Sequence, residues 1–220
     1  MVRLLAFATM LLSIWPVVAA AETLVYGNQL VFAAYRNGQP IGTHRLSFDR
    51  QGDRLVVTTT IELAVKMVGI TAYRYTHRGR EVWLGRELVS FDSSTDDDGK
   101  PYAVRASREN GQLRVERTGP DARGPVRHAL PADLLPSTHW NVEQASQGFL
   151  LNAQKGTRER ITVTAAGRES VRTLSGMIAA TRYHYEGDVR MDQWFDDRGR
   201  WVRSRFVVFD SSTIDYVLQE

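Results

Sequence analysis

The chain of 220 residues contains no cysteine. That excludes a disulfide framework, a thiolate metal site, a thiol nucleophile and the acylated cysteine of a lipoprotein. Its folded part must be held together by an apolar core. The local signatures of familiar enzyme classes are also missing: no Gly-x-Ser-x-Gly, no His-Glu-x-x-His, no glycine-rich phosphate loop and no Cys/His zinc spacing. No Lys/Arg-rich block marks a nucleic-acid footprint, for the formal net charge is only +3 and the basic residues are spread among acids. Long apolar runs are confined to one place.

That place is the start of the chain. Arg3 gives a basic opening, residues 4–18 an apolar run broken by Thr9, Ser13 and Pro16, and Ala19-Ala20-Ala21 a small-residue exit. The pattern predicts a cleaved secretory signal peptide over residues 1–21, because the run is shorter than the roughly twenty residues that span a bilayer. With no lipobox cysteine, the expected product is a released periplasmic protein with no integral membrane segment after signal removal and no nucleic-acid partner.

Residues 22–220 suit a single β-rich domain. Apolar and polar residues alternate, with lapses, over 29–36, 41–48, 55–65, 70–77, 102–107, 112–117, 160–164, 177–185, 189–195, 201–209 and 213–218, which is the period of strands. Turns are expected at Asn37-Gly38, Gly52-Asp53, Arg78-Gly79, Asp98-Gly99, Asn110-Gly111, Ala166-Gly167, Gly187-Asp188 and Arg198-Gly199. Strands joined this tightly must run antiparallel. The predicted fold class is therefore mainly β: one antiparallel meander forming a curved sheet, half-barrel or barrel, with one or two short helices in the central connection. That connection, 119–156, lacks alternation and carries Pro120, Pro125, Pro131 and Pro136. Asn141 suits an N-cap, Gln144 the capping-box position and Gly148 a stop. The segment divides one strand group, 22–118, from another, 157–220.

The two groups echo each other. Residues 83–95 align without a gap on residues 201–213, with Trp83 matching Trp201 and an identical Phe-Asp-Ser-Ser-Thr starting at Phe91 and at Phe209. The expectation is one supersecondary unit used twice, a Trp-anchored strand whose Asp and Ser cap the following turn. The alternative is a duplicated ligand-contacting hairpin.

Candidate chemistry is sparse. Asp96-Asp97-Asp98-Gly99 reads as a hairpin tip, since a calcium-loop register would put Arg105 where a bidentate Glu is required. Of the five histidines, His44, His77, His128, His139 and His184, none has a metal-ligand spacing, so neither metal nor cofactor is expected; His77 and His184 are expected on partly exposed sheet. His139-Trp140 lies in the connection, where binding residues gather, with Trp140 as an anchor. Tyr73, Tyr75 and His77 share one strand face, and Tyr183 and Tyr185 another, while Trp83 adds a large apolar surface near a strand end. Such faces either pack a core or line a cavity for an apolar ligand. The candidate ligand-binding residues are Tyr73, Tyr75, Trp83, His139, Trp140, Tyr183 and Tyr185; no residue can be named as catalytic.

Several stretches together resemble a known family. They are Tyr35-Arg36-Asn37-Gly38-Gln39-Pro40-Ile41-Gly42-x-His44, Tyr75-Thr76-His77 with Glu81-Val82-Trp83, Ser137-Thr138-His139-Trp140-Asn141, and Trp194-Phe195-Asp196-Asp197-x-Gly199-Arg200 with Ser211-Ser212-Thr213-Ile214-x-Tyr216-Val217-Leu218. The family is one of exported proteobacterial proteins catalogued as domain of unknown function 6134, and the resemblance implies no site residues. A sheet curved around a short helix is also similar to the lipoprotein-carrier folds of the periplasm. The functional expectation is a binding or chaperone-like protein for an apolar or lipid-like ligand or an envelope protein. Alternatives are a hydrolase built around His139 or His77, and an interaction module using the free backbone of 213–218 as a sheet edge.

Overall fold

A computed structural model describes residues 27–67 and 70–219; the predicted signal peptide lies outside the described residues. The strands are β1 Gln29–Arg36, β2 Gln39–Gln51, β3 Arg54–Met67, β4 Ile70–Leu84, β5 Glu87–Asp97, β6 Lys100–Glu109, β7 Gln112–Thr118, β8 Val126–Pro131, β9 Leu135–Pro136, β10 Phe149–Leu151, β11 Arg158–Arg172, β12 Met177–Gly187, β13 Met191–Asp196, β14 Trp201–Val207 and β15 Thr213–Leu218. They form one open sheet in the order β8-β7-β6-β5-β4-β3-β2-β1-β15-β14-β13-β12-β11-β10-β9. Every pairing is antiparallel except that of β9 with β10. The predicted curved antiparallel meander is what forms, and among the described residues no helix is long and apolar enough to cross a membrane.

Alternation decides which face is inside. Phe48, Val57, Glu81 and Phe91 stand in one row across β2 to β5, Leu46, Thr59, Gly79 and Ser93 in the next, and His44, Ile61, His77 and Thr95 in a third; all are buried. The intervening Arg45, Ser47, Thr58, Arg78, Arg80 and Asp92 are exposed. One face is therefore core and the other solvated, as period two requires. The sheet must bend round the central connection, because that segment touches strands from both of its halves. Trp140 packs edge-on against Phe48 of β2 and Trp83 of β4, while His139 stacks on Trp201 of β14.

The connection differs from expectation in detail. It holds a single 3₁₀ helix, Val142–Ser146, and adds β8, β9 and β10 to the ends of the sheet. Asn141 caps the helix through Glu143 N, as its sequence position predicts. Gln144 does not close a capping box; its Nε2 donates to the Pro136 carbonyl and the side chain is buried, so it fastens the segment to itself.

Two expected turns are strand interior. Arg78-Gly79 lies within β4, where Gly79 leaves room beside the His77 ring, and Ala166-Gly167 is a bulge in β11. The repeat also dissolves. Phe91 to Thr95 is mid-strand in β5, whereas Phe209 to Ser212 forms the β14–β15 turn with Ser211 at φ 65°. Identical residues thus take two structures: Phe91 is 0% exposed and Phe209 fully exposed. Nor is 213–218 a free edge, since β15 pairs with β1 on one side and β14 on the other.

Candidate functional site

Between the concave face and the connection lies a cavity of about 820 Å³. It is lined by Ile41, Ile61, Leu63 and Val65 from β2 and β3 and by Met191, Phe206 and Ile214 from β13, β14 and β15. Residues 137–139 and 152–154 of the connection cover it. Its mouth is marked by the exposed lining residues Ala72, Asp98, Lys100, Phe209 and Asp210. Asp210 forms an ion pair there with Arg36.

The covering segment is fixed by polar bonds from the sheet. Ser93 Oγ donates to the Ala153 carbonyl at 2.6 Å, a buried bond. Tyr75 Oη donates to Gln154 Oε1 at 3.2 Å, Gln154 Nε2 to Asp97 Oδ2 at 3.2 Å, and Tyr73 Oη to Asp97 Oδ1 at 2.6 Å. Behind the cavity, Glu81 receives Trp83 Nε1 at 2.9 Å and Trp140 Nε1 at 3.1 Å. Burial pushes the Glu81 carboxyl up to about 7, against the opposing effect of these donors. His139, at φ 71°, occupies the left-handed region that a non-glycine residue rarely adopts. Its Nδ1 meets Gln193 Nε2 at 2.7 Å, and its ring stacks on Trp201 at 5.2 Å.

Three histidines, His44, His77 and His139, stand on the lining, with the His44 and His139 ring centroids 5.9 Å apart. Burial lowers each: His77 and His139 to about 4, and His44 well below its ordinary value. All three are neutral imidazoles at pH 7. Among the described residues no group of three or more His, Cys, Asp and Glu converges to hold a metal ion. His77 bonds Thr95 Oγ1 at 2.7 Å, so it is a buried histidine and not the partly exposed one expected from its strand position. His184 is on the exposed face, 2.8 Å from Asp192.

The sequence candidates separate cleanly. Tyr73, Tyr75 and His139 line the cavity. Trp83 and Trp140 do not; they flank Glu81 and border a different recess beside Leu55 and Leu135. Tyr183 and Tyr185 are not on the lining: Tyr183 packs edge-on against Phe195, and Tyr185 is fully buried. Sequence reading missed His44, Thr59 and Tyr216, which do line the cavity. The signal was available, because each is polar in the apolar register of its strand: His44 with Leu46 and Phe48, Thr59 with Val57 and Ile61, Tyr216 with Ile214 and Leu218.

A profile of the family described as domain of unknown function 6134 matches residues 32–219. The chain belongs to that family. The match covers all the strands that build the cavity, so in this member of the 6134 family the walls, the mouth and the connection are parts of the family domain itself. A search of curated proteins finds no match.

Proposed function

We propose that the protein is a soluble periplasmic binding protein that carries an apolar, lipid-like ligand between the sheet and its central connection. The observation that carries this reading is the cavity of about 820 Å³: inward aliphatic residues of β2, β3 and β15 and Phe206 of β14 face open space where a core would interdigitate. That volume falls within the roughly 300–1,000 Å³ typical of small-molecule sites, and a mostly apolar lining with a few polar groups is their usual composition. The leader-like residues 1–21 support delivery to the periplasm. A hydrolytic site at His77 or His139 finds no support in their partners, which are Thr95 and Gln193, with no carboxylate to orient either ring.

The test is purification of the full chain from its native envelope, followed by solvent extraction and mass spectrometry, alongside titration with the neutral fluorescent probe N-phenyl-1-naphthylamine. Co-purified apolar material and saturable probe binding are expected, and Leu63→Trp together with Ile61→Trp, which narrow the cavity, should weaken the binding severalfold. A protein that is clean on isolation and does not bind the probe ends the proposal.

A further inference from the structure

His44 is 1% exposed and lines the cavity, yet neither Nδ1 nor Nε2 has a hydrogen-bond partner. Thr59 Oγ1 is likewise buried, without a partner, and on the lining. Register makes them neighbours: His44 stands opposite Ile61 and Leu46 opposite Thr59, so the two polar side chains are diagonal on one face. Three buried polar atoms without partners at one spot are rare in a native fold, where buried donors and acceptors are paired. An aliphatic pair would pack better. What sets these polar atoms apart from other such atoms is that they sit side by side on the cavity lining, where a group entering the cavity can meet both side chains.

The chemistry of that group follows from the donors and from the missing charges. A neutral imidazole offers one N–H donor and one bare nitrogen acceptor, and a threonine hydroxyl can serve either way. A carboxylic acid carries one O–H donor and one carbonyl acceptor. The two sets match. A carboxylic acid is ionised in water at pH 7, so its entry takes up one proton from solvent, and the bound pair is then neutral overall whether that proton sits on the carboxyl group or on the imidazole. A phosphate would bring a negative charge that no fixed cation at this spot meets, which is costly in a buried site. The charged lining residues Asp97, Asp98 and Lys100 lie nearer the β5–β6 hairpin tip, Glu159 accepts from Asn152 Nδ2 at the start of β11, and Arg36 is paired with Asp210 at the mouth.

Resting on the reading of the cavity as a ligand site, we infer that the part of its lining around His44 and Thr59 is a headgroup site for an amphipathic carboxylic acid. The carboxyl group bonds His44 and Thr59, and the hydrocarbon runs past Ile61, Leu63 and Val65 toward the mouth.

The experiment is displacement of N-phenyl-1-naphthylamine from the full chain by hexadecanoic acid, its methyl ester and 1-hexadecanol. The acid should compete at least about tenfold more tightly than ester or alcohol, the scale of one charge-assisted hydrogen bond. In His44→Leu the gap should close to within about twofold, and in Thr59→Val it should narrow severalfold. Thr59→Val is nearly isosteric and decides the matter if His44→Leu does not fold. Equal competition by acid and ester overturns the headgroup site while leaving an apolar carrier; equal competition by acid and alcohol overturns the carboxyl assignment. Failure of the probe and all three ligands to bind overturns both this inference and the carrier reading.

Discussion

Glu81 is a carboxyl group fully enclosed by apolar rings and held by two indole N–H donors. Its folded value near 7 exceeds its unfolded value of 4.5, so it stabilises the fold below pH 4.5 and loses that contribution as pH rises through 7. His77 and His139 act in the opposite sense: their folded values near 4 lie below 6.5, so their contribution is present above pH 6.5 and lost as pH falls through 4, and buried His44 adds to it. Three histidines outweigh one carboxyl between pH 4.5 and 6.5. Urea unfolding should show stability rising steeply from about pH 4.5 and levelling off between about pH 7 and 8, where the last of the histidine gain and the ionisation of Glu81 offset each other. In Glu81→Gln the rise between about pH 5 and 7 should steepen by about one proton; an unchanged slope would mean that Glu81 does not titrate there. Gly42 gives a second single-residue test. At φ 150°, an added Cβ would sit 1.9 Å from the Glu62 carbonyl oxygen. Gly42→Ala should cost on the order of 3 kcal/mol or prevent folding, whereas Gly124→Ala, with open space around it, should leave the thermal midpoint unmoved.

At the scale of elements, the twin Phe-Asp-Ser-Ser-Thr segments separate what sequence carries locally from what it does not. Phe91→Ala should lower stability by about 3–5 kcal/mol, while Phe209→Ala should stay within about 0.5 kcal/mol in the same denaturant series. Matching losses would mean that the β14–β15 turn is packed as β5 is. Most strands were legible because alternation is a local property: β1, for example, has its predicted bounds. The twin segments were not, because five residues with mixed strand and turn propensity are assigned by what surrounds them. In β5, Phe91 and Ser93 fall in register with buried neighbours on β4 and β6, whereas after β14 the same Asp caps a turn through Ser212 N. The site was legible by half. Tyr73 and Tyr75 announced a shared face, but which aromatic face would meet empty space and which would meet Phe195 depends on how the sheet bends. That bend comes from contacts such as Trp140 with Glu81, across 59 positions of chain.

For the whole molecule, the pairing of β1 with β15 joins the two strand groups into one sheet. The free edges are formed by β8 and β9, both from mid-chain. A chain ending at Ser212 would leave β1 and β14 each with an unpaired edge and take Ile214 and Tyr216 out of the cavity wall. We expect such a chain to lose cooperative unfolding in calorimetry and to aggregate, because exposed central strands template pairing with other chains. A sharp, monomeric transition would mean that the groups are stable apart.

That same seam sets an order in time. Phe32 lies opposite Leu218, so the centre of the sheet cannot be completed during synthesis until residue 218 has been made. Until then β1 has a neighbour on one side only, and a contact this distant in sequence closes slowly. The hairpins β2 to β7 can form as they appear, yet the enclosed space waits for the last strand. A chain without β15 is thus a molecule with an open groove, and it acquires its enclosed cavity only when that strand docks.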